Sequence, residues 1–137
     1  MANLYHAIVW IDHQQAKIFH FEGTEVDAEK VQSSHPHQHL HHKVNSSDSG
    51  HAPIDKAFLK QVAAAVAQAG TILITGPAGA KKELAAYLER EEPVIAARVA
   101  AVETLDHPTN RQLIAFGRKY FKIEDRMHSQ FRQGMHQ

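Results

Sequence analysis

The chain has 137 residues, a length that suits one domain with a core of its own. Its 43% hydrophobic and 22% charged content is ordinary for a globular protein, and no apolar run approaches the about 18 residues that cross a membrane. It has no cysteine, which excludes disulfides and thiolate metal sites, and 15 bases against 15 acids leave little long-range attraction for nucleic acid while the 12 histidines are neutral.

The opening residues, "MANLYHAIVWIDH", lack the basic start of a secretory leader, and His6 and Asp12 interrupt their apolar run, so a cytoplasmic protein is expected. The β-branched and aromatic content of 5–11 predicts a strand. "DHQQ" at 12–15 breaks it, and "AKIFHF" at 16–21 predicts a second strand, so the two form an antiparallel hairpin. After Gly23, "TEVDAEKVQ" alternates more weakly and predicts a third strand, with Val26, Ala28 and Val31 facing inward or along an edge. Glu22, Glu25, Asp27 and Glu29 fall in this region with no base among them.

Residues 33–53 are of different material. His, Ser, Asn, Asp and Gly dominate, and only Leu40, Val44 and Ala52 offer apolar burial, so a long mobile loop is expected. "PIDKAFLKQVAAAVAQAG" then carries Ile54, Phe58, Leu59, Val62, Ala65, Val66 and Ala69 at helical spacing, with Pro53 in the first turn and Gly70 as the stop. "TILIT" at 71–75 predicts a strand buried on both faces. "GPAGAKKELAAYLERE" predicts a turn and a second helix that Pro93 ends. "VAAVETL" at 99–105 predicts another strand, and "DHPTNRQLIAFGRKYF" a third helix with Leu113, Ile114, Phe116, Tyr120 and Phe121 on its buried side.

The expected fold class is therefore α/β. A mixed sheet of about five strands opens with an antiparallel hairpin or meander, and alternating strands and about three helices follow. Residues 1–137 read as a single domain, with the His-rich loop at 33–53 and a polar tail at 122–137 that frays.

Three stretches carry a family resemblance. "TILITGPAGAKKELAAYL" is similar to the strand, Gly-Pro turn and Lys-bearing helix of the translational machinery component superfamily. "VAAVETLDHPTNRQLIAF" is similar to its final strand and helix, and "AIVWIDHQQAKIFHF" resembles its opening hairpin. Over most of residues 5–121 the chain thus resembles the middle domain of archaeo-eukaryotic class-one peptide release factors and of Pelota, with their stand-alone bacterial relatives. The resemblance implies a ribonuclease-H-like motif and a non-enzymatic, translation-associated role, with the ribosome, ribosomal RNA or tRNA as partner and neither DNA nor membrane. Rescue, a stalling response and dormancy are the contexts it suggests. In the release factors a Gly-Gly-Gln tripeptide lies in the connection between the early strands and the first helix, and its glutamine promotes peptidyl-tRNA hydrolysis in the peptidyl-transferase centre. No Gly-Gly-Gln occurs in this sequence. The matching connection is 33–53, so the histidine run takes the place of the ribosome-probing loop and peptide release is not expected.

Four sets of residues offer chemistry. His35, His37, His39 and His41 alternate, with His42 and His51 nearby, and imidazoles at that density suit zinc, nickel or copper. The alternative is a solvated loop. "GPAGAKK" leads a glycine turn into a helix beside Lys81 and Lys82, which suits an RNA phosphate, although it lacks the Gly-x-x-x-x-Gly-Lys-Ser/Thr order of a nucleotide-binding loop. Arg111, Arg118 and Lys119 lie among Phe116, Tyr120, Phe121 and Phe131, a pattern that serves both RNA docking and an amphipathic helix. Asp12, Glu103 and Asp106 fall near strand ends, where a two-metal RNA hydrolase would place carboxylates, but Asp12 equally suits a hairpin turn and Asp106 a helix approach.

Overall fold

Strand patterns of two kinds organise the sheet. In the computed structural model, which describes residues 5–33 and 54–122, five strands form one sheet: β1 (His6–Ile11), β2 (Gln15–Glu22), β3 (Glu25–Gln32), β4 (Thr71–Gly76) and β5 (Val99–Thr104). Their order is β3-β2-β1-β4-β5, with β1 to β3 an antiparallel meander and β1–β4 and β4–β5 parallel pairs. The α/β class and mixed sheet expected from the sequence are therefore present. β1 and β4, the continuous apolar runs, lie inside the sheet and are buried on both faces, as strands flanked on both sides must be.

Both hairpin turns follow from local chemistry. Asp12 Oδ1 accepts from the Gln14 and Gln15 backbone N–H groups at 2.8 and 2.9 Å, an Asx turn that reverses β1 into β2. Between β2 and β3, Glu22 faces Glu25 across a two-residue turn in which Gly23 alone has positive φ, 63°. A glycine in the first central position matches the type II′ turn favoured by strand twist.

Residues Met1–Asp106 and His107–Gln137 form two compact units. The first holds the sheet with α1 (Lys56–Ala65), α2 (Ala80–Glu91) and the short α3 (Pro93–Ala96). Ala7, Val9, Ile11, Ala16, Ile18, Val31, Ile72 and Ile74 share one core with Phe58, Leu59 and Val62 of α1 and Leu84, Tyr87 and Leu88 of α2. The opposite strand positions, Ile8, Trp10, Phe19, Phe21 and Leu73, are also buried. Truncating Phe58, which is 1% exposed, would cost about 4 kcal/mol by the usual measure of large core deletions. The second unit contains a helix at 110–122, here α4, in which Leu113 and Phe121 are buried and Ile114, Phe116 and Tyr120 are partly so.

The structure departs from the sequence expectation at several ends. Val26 and Ala28 do not share the inward face of Val31, because an odd step along a strand changes face, and only Val31 is buried. α1 is capped by Asp55, whose side chain accepts from Ala57 N at 3.1 Å, while Pro53 lies outside the described residues. The helix stops at Ala65, short of Gly70, with Val66 as its C-cap; in the turn beyond it Arg98 Nη1 donates to Ala67 O at 3.0 Å and Ala69 O at 3.3 Å. Pro93 ends α2 and also opens α3, a fourth helix that was not anticipated. Residues 34–53 and 123–137, where the loop and tail were expected, lie outside the described residues.

Gly76 closes the junction of β1 and β4. A Cβ there would stand 2.3 Å from the Ile11 carbonyl oxygen, a backbone atom that cannot yield without parting the strands. Gly76→Ala is expected to destabilise the chain by about 3 kcal/mol in urea or thermal unfolding. Gly79→Ala, where a Cβ meets nothing and φ is −78°, should stay within about 1 kcal/mol of the parent. Equal effects at the two glycines would contradict the close approach.

Candidate functional site

The carboxyl ends of β1, β4 and β5 gather at one end of the sheet, and the antiparallel register brings the end of β3 there too. Ser33 N donates to Gln14 O at 2.9 Å, holding the chain as it leaves β3. It is caught again at Ile54, whose N–H donates to Glu83 Oε1 at 3.3 Å. The connection 34–53 is thus anchored at both ends on this one side of the sheet. Its own residues, including His35, His37, His39, His41, His42 and His51, lie outside the described residues.

Glu83 joins three elements. It belongs to the first turn of α2, where a carboxylate suits the positive end of the helix dipole. One of its oxygens takes the Ile54 N–H, and the other lies 3.5 Å from His13 Nε2 in the β1–β2 turn. Nothing in the sequence reading singled out Glu83 or His13. Their signal is spatial, because 70 positions of sequence separate two side chains that the β1–β4 pairing brings together.

The two lysines of "GPAGAKK" have different surroundings. Lys81 is 6% exposed, and its Nζ donates to Ala78 O at 2.6 Å, so its ammonium closes the turn that leads into α2. Lys82 is exposed beside it. In the second unit, Thr109 Oγ1 accepts from Gln112 N at 3.0 Å and Gln112 Oε1 accepts from Thr109 N at 2.9 Å. This reciprocal capping box starts α4, and "TNRQ" was a legible signal for it that the sequence reading passed over. Arg111, Arg118 and Lys119 are exposed, and Arg111 and Arg118 share one helix side by their spacing of seven.

The carboxylates considered for hydrolysis do not form a metal-holding group among the described residues. Asp12 Oδ1 already holds two backbone N–H groups of its own turn. Glu103 and Asp106 are exposed near the end of β5, and the Leu105 and Asp106 carbonyls accept from Trp10 Nε1 at 3.1 and 3.2 Å. Among the described residues no group of three or more His, Asp or Glu side chains is placed to hold a metal ion.

The sequence reading assigned no role to a cleft at the other end of the sheet. Tyr5, His20, Glu22, Glu25 and Asp27 line a cleft of about 230 Å³. The His20 and Tyr5 rings meet edge to face at 5.1 Å, and His20 Nε2 lies 3.6 Å from Glu29 Oε1. His20 Nδ1 is buried with no hydrogen-bond partner among the described residues. The Tyr5 phenol is held above its ordinary value of 10.0, first by burial and then by the negative charges of Glu29 and Glu22.

No protein-family model matches this sequence, and no curated protein matches it. Solved structures do resemble the fold. Pelota of Archaeoglobus fulgidus superposes with a TM-score of 0.60 at 16% identity, over 84% of this chain and 31% of its own. The archaeal translation termination factor aRF1 superposes with a TM-score of 0.54 at 12% identity, over 97% and 42%. Dom34 of S. cerevisiae gives 0.51 at 12% identity, over 80% and 31%. The chain spans between about a third and two fifths of these proteins. At such identities the likeness is one of fold, and it bears out the fold resemblance to release factors and Pelota read from the sequence.

The cleft makes a titration testable. The folded chain holds the Tyr5 proton more tightly than the unfolded chain does. The corresponding stability is present below pH 10.0 and is lost as pH rises through the folded value. A tyrosinate absorbance difference between the parent and Tyr5→Phe should titrate above 10.0. Glu29→Gln should lower that midpoint without restoring the ordinary one, because burial is the larger cause. A Tyr5 midpoint at the ordinary value would contradict the geometry of the cleft.

Proposed function

We propose that the chain is a non-enzymatic factor of the translation apparatus that docks on the ribosome or on tRNA in the cytoplasm. One observation carries this reading: the fold resembles Pelota, a translation termination factor, and a translation termination-like factor involved in RNA quality control pathways. Without a Gly-Gly-Gln tripeptide the chain would dock without peptide-release chemistry, in rescue, a stalling response or dormancy.

Exposed cations supply the contact. Lys82 on α2, and Arg111, Arg118 and Lys119 on α4, would neutralise phosphates and release their counterions. Lys81 would act mainly by holding the turn that presents Lys82. The connection 34–53 leaves and rejoins the fold at the end where α2 begins, so a body docked through Lys82 would bring His35, His37, His39, His41, His42 and His51 toward the bound surface. The density of those imidazoles supports a second reading, in which the segment holds a zinc, nickel or copper ion.

Pelleting with purified ribosomes tests the docking. The chain should pellet at moderate salt and be released as salt rises. Combined Lys82→Glu, Arg111→Glu, Arg118→Glu and Lys119→Glu should weaken pelleting by about tenfold or more in a chain that still folds. Pelleting that is unchanged by the four reversals would remove these residues from the contact. No pelleting at any salt, with a stoichiometric ion that survives dialysis and is lost on replacing His37, His39 and His41, would favour the metal reading.

A further inference from the structure

β3 is an edge strand, and among the described residues no strand pairs with its outer side. The turn at Gly23 closes on the Glu22–Glu25 pair, so the alternation of an antiparallel ladder turns the N–H and C=O groups of Val26, Ala28 and Lys30 outward. Charges on an edge keep sheets from pairing with copies of themselves. Here, however, they are all of one sign on one face. Glu25 and Asp27 line the cleft with Glu22, and Glu29 stands against His20, so three carboxylates follow one another at alternate positions of one strand. Their spacing of about 7 Å is that of alternate side chains on any extended chain.

We propose that the outer edge of β3 is a docking site for an extended basic segment of another protein, added as a sixth strand with lysine or arginine at every second residue. Charge complementarity selects this occupant. Carboxylates in this register repel the phosphates of RNA, and they match cations at the same repeat. The cleft adds a pocket for one basic side chain, with the Tyr5 ring as a cation–π surface and Glu22, Glu25 and Asp27 as acceptors. The acidic run from Glu22 to Glu29, unused by the docking on ribosome or tRNA, thereby acquires a role of its own.

The probe is a labelled synthetic peptide alternating lysine and valine, titrated with the full chain and followed by fluorescence anisotropy. A peptide alternating glutamate and valine serves as control. The lysine peptide should bind and the glutamate peptide should not. Asp27→Lys combined with Glu29→Lys should weaken binding by about tenfold or more. Ala28→Pro should also weaken it, because proline removes an outward N–H that an edge strand can lose without breaking its own ladder. Circular dichroism and thermal unfolding verify that each variant folds. Three results would overturn the proposal: no preference for the lysine peptide, binding indifferent to Ala28→Pro, or ultracentrifugation showing the edge already paired with a second copy through a contact that Ala28→Pro abolishes.

Discussion

The close approach of β1 and β4 is the constraint on which the rest of the structure depends. The two strands run parallel, are buried on both faces, and end where the Ile11 carbonyl leaves no room for a side chain at position 76. Thr75, fully buried, satisfies its hydroxyl by donating to Val9 O at 2.8 Å, a second tie across the same pair. From this junction the chain turns through Gly76 and Pro77, and Lys81 fastens the turn to Ala78 O. That sets where α2 begins, and so where Glu83 meets both His13 and Ile54. The Ile54 anchor, on Glu83, thus depends on how β1 and β4 pack beneath α2.

Charge is divided along the fold even though the chain is neutral in total. Exposed cations include Lys82 on α2 and, in the second unit, Arg111, Arg118 and Lys119 on α4, whereas carboxylates gather on β3 and the β2–β3 turn. Each acts only at short range, since dissolved salt screens exposed charges within about 10 Å at ordinary ionic strength. The acidic edge of β3 and the exposed cations of α4 would each suit a partner of opposite charge.

The periodic segments were readable from sequence because their burial follows one rule at a time. "TILIT" and "HAIVWI" are apolar throughout because neighbours cover both faces, and α1 shows Phe58, Leu59 and Val62 at helical spacing because one face meets the sheet. The third strand was harder. As an edge strand it buries only Val31, so its alternation carries more about charge than about core. α1 ends at Ala65 although the apolar spacing runs on, because Val66 and Ala69 are buried in the turn that follows the helix, and burial there says nothing of helical hydrogen bonding. α3 is too short for any period to show. At the candidate site, Lys81 and Lys82 looked equivalent, and only the folded turn separates the one that binds a carbonyl from the one that meets solvent. Glu83, His13 and the Tyr5–His20 cleft depend on pairings between distant strands and helices, which local patterns do not encode.

The central claim is that a release-factor-like body presents the 34–53 segment to the translation apparatus. Sucrose-gradient fractionation of a cell lysate tests it most directly, comparing the intact chain with one in which 34–53 is replaced by glycine and serine at equal length. The account predicts that the intact chain comigrates with ribosomes at moderate salt and that the replaced chain, though folded, shifts toward the top. An intact chain found only at the top of the gradient, in growth and in starvation alike, would contradict it.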